Sequence, residues 1–220
     1  MGTSGRKILL PRLYAILDPA CFADGEAMFA AAEELASAGV TLLQYRNKKG
    51  NARQMLEQAR ELKRRVGGRM RLIMNDRADL CVAAEFDGLH VGQDDLSPEA
   101  ARRIIGSKFQ GHDGKRKPRW LGVSTHNPEQ LGLADKTSAD YLAIGPVFAT
   151  SSKVNPDPVV GLEGVRRARE LTRKPLVAIG GITRVNARSV IEAGADAVAV
   201  ISDLLPDPRK SAEEFLAILG

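Results

Sequence analysis

Two cations one residue apart stand at Arg46 and Lys48, preceded by the amide Gln44, in the run Gln44-Tyr45-Arg46-Asn47-Lys48. In extended chain the two-residue repeat turns Gln44, Arg46 and Lys48 to one side. Cations that converge this way are costly unless something anionic answers them, either a ligand or carboxylates on neighbouring strands. Carboxylates recur at Asn75-Asp76 and at Gln93-Asp94-Asp95. On adjacent strand ends such a pair can share Mg²⁺, which takes one or two carboxylates together with substrate phosphates and water. Spacing does not choose between Asp94 and Asp95, and Asp76 and Asp95 equally suit helix N-caps. Ser124, in Gly122-Val123-Ser124-Thr125-His126, supplies either a donor to a phosphate oxygen or a turn residue. His126 is a lone candidate acid or base, whereas His90 inside an apolar run reads as a packed core histidine.

Two further stretches suit anions. Thr150, Ser151, Ser152 and Lys153 lie in a long connection running from Gly145 past Pro156 and Pro158 to Gly161, the length of a lid or binding loop. Gly180-Gly181-Ile182 and Ile201-Ser202 close the series, and glycine lets backbone N–H groups approach phosphate oxygens. The inventory thus holds two anion sites. One is cationic and metal-assisted, suited to a diphosphate; the other is a neutral backbone cradle, suited to a phosphate monoester.

These groups need a scaffold that brings distant segments together. Short aliphatic runs alternate with helical stretches. Strands are predicted at 13–18, 40–46, 71–76, 88–93, 120–125, 141–147, 176–180 and 197–202. Most are near-continuous apolar runs, as in strands buried on both faces. Helices are predicted at 24–38, 52–66, 78–85, 98–105, 128–134, 162–171, 185–193 and 211–218. Ser97-Pro98 and Asn127-Pro128 place a cap residue before proline at the first helical turn, and Gly39 and Gly194 follow helices where left-handed caps favour glycine. Eight β/α units predict one (β/α)8 TIM barrel, with active residues at the carboxyl ends of its strands. An open doubly wound sheet is the rival, but no GxGxxG follows the first strand.

The 220 residues are near the roughly 250 typical of such a barrel, and a single domain over 1–220 is expected, with 1–11 as an N-terminal extension. The net charge is +5 and the isoelectric point about 9.4. Part of that excess crowds into Lys108, Lys115, Arg116, Lys117 and Arg119. Without interleaved aromatics this stretch, 107–119, reads as a solvated basic loop inserted at the N-terminal end of the barrel, not as a nucleic-acid surface. Cys21 and Cys81 make no CxxC pair, and no membrane-spanning run or signal-peptide core is present; a cytoplasmic protein acting on small molecules, in some assembly state the sequence leaves open, is expected.

Taken together, these motifs resemble the thiamine-phosphate synthase family, over Leu13 to Leu205. The matching motifs are Gln44-x-Arg46-x-Lys48, Asn75-Asp76-Arg77, His90-Val91-Gly92-Gln93-Asp94-Asp95, Gly122-x-Ser124-Thr125-His126, Gly145-Pro146-Val147-Phe148-x-Thr150-x-Ser152-Lys153, Gly180-Gly181-Ile182 and Ile201-Ser202. The resemblance implies a transferase of thiamine biosynthesis. Hydroxymethylpyrimidine diphosphate and a carboxy-thiazole or hydroxyethylthiazole phosphate give thiamine phosphate and diphosphate, by way of a pyrimidine methylene cation that the thiazole nitrogen captures. It also implies roles. Gln44, Arg46, Lys48, Asn75, Ser124 and Lys153 bind the pyrimidine diphosphate, with Arg46, Lys48, Lys153 and Ser124 at the reacting centre. Asp76 and Asp95 hold Mg²⁺, and Thr150, Ser152, Gly181, Ile201 and Ser202 bind the thiazole phosphate. Two residues depart from the family pattern: Ser152, where threonine is usual, and Ala149, where proline is usual. A thiazole tautomerase-like enzyme and a non-catalytic homologue that binds the same ligands are the alternatives.

Overall fold

A computed structural model describes residues 8–110, 116–150, 157–205 and 207–220. Among the described residues ten strands are formed: β1 (Leu13–Leu17), β2 (Leu42–Tyr45), β3 (Arg71–Asn75), β4 (Gly88–Val91), β5 (Lys108–Gln110), β6 (Arg116–Pro118), β7 (Trp120–Thr125), β8 (Tyr141–Ile144), β9 (Leu176–Ile179) and β10 (Ala197–Val200). Eight of them close into a parallel barrel in the order β1-β2-β3-β4-β7-β8-β9-β10, with β10 returning to β1. The helices between them are α1 (Gly25–Ser37), α2 (Ala52–Val66), α3 (Ala78–Ala83), α4 (Pro98–Ile105), α5 (Pro128–Asp135), α6 (Gly161–Leu171), α7 (Ala187–Glu192) and α8 (Pro208–Leu219). None among the described residues is long and apolar enough to cross a membrane.

The strands are apolar throughout because each faces two cores. Leu13, Ala15 and Leu17 of β1 pack outward against helices, in one cluster with Met28, Leu35 and Phe215. Tyr14 and Ile16 point the other way, into a smaller cluster inside the barrel with Leu42, Ile73, Trp120, Tyr141 and Val177. That alternation sets which residues reach the site, since every second residue of a barrel strand faces inward.

Local signals for helix ends act as predicted. Ser97 Oγ accepts from Ala100 N at 3.3 Å and Asn127 Oδ1 from Gln130 N at 2.9 Å, each just before a proline. Gly39 and Gly194 take φ of 97° and 112°. The last helix starts earlier than predicted, at Pro208, because Asp207 caps it by accepting from Lys210 N at 3.1 Å. The start of α7 recedes to Ala187, and Val185 stands in solvent.

The basic stretch departs from its reading as a solvated loop. β5 and β6 pair antiparallel as a hairpin. Phe109 is buried between the Lys63 ammonium and the Arg119 guanidinium, 5.6 and 5.0 Å from its ring centroid. Arg119 is itself buried and donates to the carbonyls of Phe86 (3.0 Å) and Ile105 (2.7 Å). The aliphatic and aromatic parts of these side chains give the segment a local core that charge counting overlooks. The hairpin sits where β3 and β7 begin, and Arg71 at the start of β3 donates to Pro118 O at 3.2 Å. It is therefore at the end of the barrel opposite the strand C-termini.

Candidate active site

A cavity opens at the carboxyl ends of the barrel strands. Gln44, Arg46 and Lys48 all line it, while Tyr45 between them turns outward and donates to Gln58 of α2 at 2.6 Å. The two-residue repeat thus persists past the last residue of β2. Both cations have carboxylate partners on neighbouring strand ends: Arg46 pairs with Asp18 after β1, and Lys48 with Asp76 after β3. Sequence reading named Asp76 but not Asp18, whose pairing depends on the β1–β2 register.

Asp76 and Asp95 are not helix caps. The cap position of α3 is Arg77, with no side-chain cap bond, and α4 is capped by Ser97. Asp95 lines the cavity, whereas Asp94 is exposed outside it. Asp95 Oδ2 accepts from Gly92 N at 2.8 Å. Its carboxyl is raised above the usual range, first by burial and then by a hydrogen bond with Asp76. Asp76 itself holds φ at 60°, a left-handed conformation that aspartate tolerates better than most residues but that still costs energy. Two carboxyl groups are thus pressed together at the mouth, with Lys48 as the nearby cation.

The remaining sequence-predicted residues that the structure describes converge on the same space. Asn75 lines it, and its Nδ2 is buried with no hydrogen-bond partner among the described residues, an uncommon state for a buried donor. Ser124, Thr150, Gly181, Ile201 and Ser202 also line it. Ser152 and Lys153 lie outside the described residues. Gly180 and Gly181, with φ of 99° and 63°, bring backbone close to the loop after β8: a β-carbon would stand 2.6 Å from Pro146 Cα at the first and 2.4 Å from Ala149 O at the second. No other residue type fits there without displacing the loop.

His126 is held by the Gly145 carbonyl, 2.7 Å from Nδ1, and lies 3.5 Å from Asp157. His90 is not merely a packed core histidine. It is buried, yet Nε2 lies 2.8 Å from Ser124 Oγ and Nδ1 lies 3.1 Å from the Tyr141 hydroxyl. Tyr141 contacts the Tyr14 hydroxyl at 3.0 Å, which accepts from Gln44 Nε2 at 2.8 Å. Tyr14 and Tyr141 were missed by sequence reading. The available signal was their inward parity: Tyr14 is two residues before Ile16, and Tyr141 opens a strand whose inward positions reach the cavity.

Comparison with known proteins identifies the family. A family model described as thiamine monophosphate synthase matches residues 13–204. The chain belongs to the thiamine monophosphate synthase family. It is 61% identical over 213 residues to a thiamine-phosphate synthase of Koribacter versatilis (strain Ellin345), covering 96% of each chain. It is 43% identical over 214 residues to the thiamine-phosphate synthase of Chloroflexus aurantiacus (strain ATCC 29366 / DSM 635 / J-10-fl), covering 95% of this chain and 93% of that one. A solved thiamine phosphate pyrophosphorylase from Pyrococcus furiosus superimposes with a TM-score of 0.78 at 32% identity, over 94% of this chain and 95% of that one. A 3-hexulose-6-phosphate synthase, at 16% identity and a TM-score of 0.67, shares the barrel fold. Membership makes the chain a transferase of thiamine biosynthesis.

Proposed function

We propose that the protein joins hydroxymethylpyrimidine diphosphate to a thiazole phosphate by a dissociative, Mg²⁺-dependent reaction. The methylene C–O bond breaks first, and its electron pair leaves with the diphosphate. The lone pair of the thiazole nitrogen then forms the new C–N bond. Such a path needs negative charge stabilised on the leaving group and needs no protein nucleophile or general base. The observation that carries this reading is the convergence of Arg46, Lys48, Asp76 and Asp95 on one strand-end cavity whose far side is glycine backbone.

The residues fit the metal. Two acidic oxygen ligands in contact, one of them with a raised pKa, form a site that a hard cation would relieve. Asp76 and Asp95 would hold Mg²⁺, whose charge, when bound, stabilises the departing diphosphate. Lys48 and Arg46, held at the mouth by Asp76 and Asp18, are preorganised to move from carboxylate to diphosphate oxygens. The unpartnered Asn75 Nδ2 and the Ser124 hydroxyl supply donors to the pyrimidine diphosphate, with Lys153 as a third cation. Thr150, Ser152, Gly181, Ile201 and Ser202 receive the thiazole phosphate, where glycine permits close backbone approach.

The deciding experiment follows thiamine phosphate formation from purified protein and the two phosphorylated substrates across a MgCl2 titration. Product is expected only with Mg²⁺, and Asp76→Ala is expected to abolish turnover with the fold intact. Full turnover in EDTA, or in Asp76→Ala at limiting Mg²⁺, would refute the metal assignment. No product from folded protein that binds both substrates would refute the reaction.

A further inference from the structure

Gln44 and Ser124 stand apart at the barrel mouth, on β2 and, beyond the two intervening strands β3 and β4, on β7, yet they are not independent. Three buried side chains join them. The path runs from Gln44 Nε2 to Tyr14 OH (2.8 Å), to Tyr141 OH (3.0 Å), to His90 Nδ1 (3.1 Å), and from His90 Nε2 to Ser124 Oγ (2.8 Å). We propose that Tyr14, Tyr141 and His90 are positioning residues that form a one-way hydrogen-bond relay, locking the Gln44 amide and the Ser124 hydroxyl as one acceptor–donor pair for the pyrimidine substrate. This rests on the reading of the cavity as the pyrimidine diphosphate site.

The direction follows from proton counting. Gln44 Nε2 can only donate, so the Tyr14 oxygen accepts and sends its own proton to Tyr141. Tyr141, accepting from Tyr14, sends its proton to His90 Nδ1. His90 is then the Nε2–H tautomer and donates to Ser124 Oγ. Ser124 keeps its own proton for the cavity, and among the described residues no acceptor takes it. At the other end Gln44 keeps its amide oxygen as an acceptor. The relay therefore delivers an acceptor and a donor, not two donors or two acceptors.

Only a neutral His90 is compatible with this order. An imidazolium would donate from both nitrogens, and Tyr141 would then have to point its proton at Tyr14, whose own proton would have no partner. Burial of His90, Tyr14 and Tyr141 disfavours every charged form of the three, so each member keeps the required proton. Linked bonds in a dry interior polarise one another, so a break far from the substrate should be felt at Ser124.

Two measurements on the full-length protein test this. Long-range ¹H–¹⁵N spectra of histidine-labelled protein read the His90 tautomer without turnover. A neutral Nε2–H ring is expected, and an Nδ1–H ring would overturn the proposed direction. Tyr141→Phe removes the central hydroxyl alone. Its His90 signal is expected to lose the single Nε2–H tautomer, and kcat/KM for the pyrimidine diphosphate to fall about tenfold, with KM for the thiazole phosphate unchanged. Tyr14→Phe, one link further from His90, is expected to show the same selective loss and serves if Tyr141→Phe does not fold. Wild-type kinetics in a folded variant, or equal losses for both substrates, would overturn the relay. Absence of turnover in the wild type would refute the proposed reaction, while the tautomer still reports on the relay.

Discussion

Gly122 and Tyr141 are register partners on β7 and β8, and a β-carbon at Gly122 would lie 2.1 Å from Tyr141 Cζ and 2.4 Å from its hydroxyl oxygen. The glycine is there for space rather than for its dihedrals, because its φ is not positive. Gly122→Ala must push the phenol aside, and with it the hydroxyl that links Tyr14 to His90. Overpacking of this kind costs about 1–3 kcal/mol. The expected result is a folded variant with a lower denaturation midpoint and a lower kcat/KM for the pyrimidine diphosphate. Both are readable by urea unfolding and steady-state kinetics. Unchanged values would mean that the Tyr141 ring shifts without consequence.

Gly181 carries a different constraint. With φ at 63° and a would-be β-carbon 2.4 Å from Ala149 O, it is limited by both dihedral and contact. Since Ala149 precedes Thr150, Gly181→Ala should displace the loop that presents the Thr150 side chain. KM for the thiazole phosphate is expected to rise about tenfold or more, against a small change for the pyrimidine diphosphate. A rise confined to the pyrimidine diphosphate would remove Gly181 from the thiazole phosphate site.

The buried His90 makes stability depend on pH. Its folded pKa of about 4 is below its ordinary value of 6.5. Between those values the unfolded chain binds a proton that the folded protein refuses, so stability falls as pH drops from 6.5 to 4 and then levels off for this group. The shift corresponds to about 3 kcal/mol, fully present above pH 6.5. Unfolding free energies measured by urea at intervals across this range should show the slope, and His90→Gln should flatten it. An equal slope in the variant would assign the acid sensitivity elsewhere.

The frame of the site was legible because two periods coincide. Strands buried on both faces read as apolar runs, and residues beyond their ends keep the alternation that brings Gln44, Arg46 and Lys48 inward. The Gln44–Ser124 connection was not legible. Tyr14 and Tyr141 look like ordinary apolar strand residues until closure of the barrel sets their hydroxyls 3.0 Å apart across 127 residues of chain. The hairpin was hidden for a similar reason. β5 and β6 have three residues each, too few for a periodic signal, and Phe109 is packed by Lys63 from distant α2. Asp18 escaped notice because a lone carboxylate after β1 acquires meaning only once the register sets Arg46 beside it.

The amino-terminal end of the barrel offers the contrasting case, where a buried ion pair serves the fold alone. Lys63 Nζ lies 3.1 Å from Asp87 Oδ2, both residues are buried, and the same oxygen accepts from Leu72 N at 2.8 Å. Asp87→Ala leaves the ammonium buried without its carboxylate and the Leu72 N–H without its acceptor, which costs about 3–5 kcal/mol. The hairpin should loosen as well, since Lys63 also lies over the Phe109 ring. Turnover should be spared in whatever fraction remains folded, because the pair sits before the strands that carry the site and conserves no contact with the cavity. The expected signature is a large drop in the urea midpoint with KM for both substrates unchanged at low temperature. Replacing both partners, Lys63→Met with Asp87→Leu, should recover part of the lost stability, because it removes the stranded charge. A double variant no more stable than Asp87→Ala would show that the Leu72 hydrogen bond, rather than the ion pair, carries the loss.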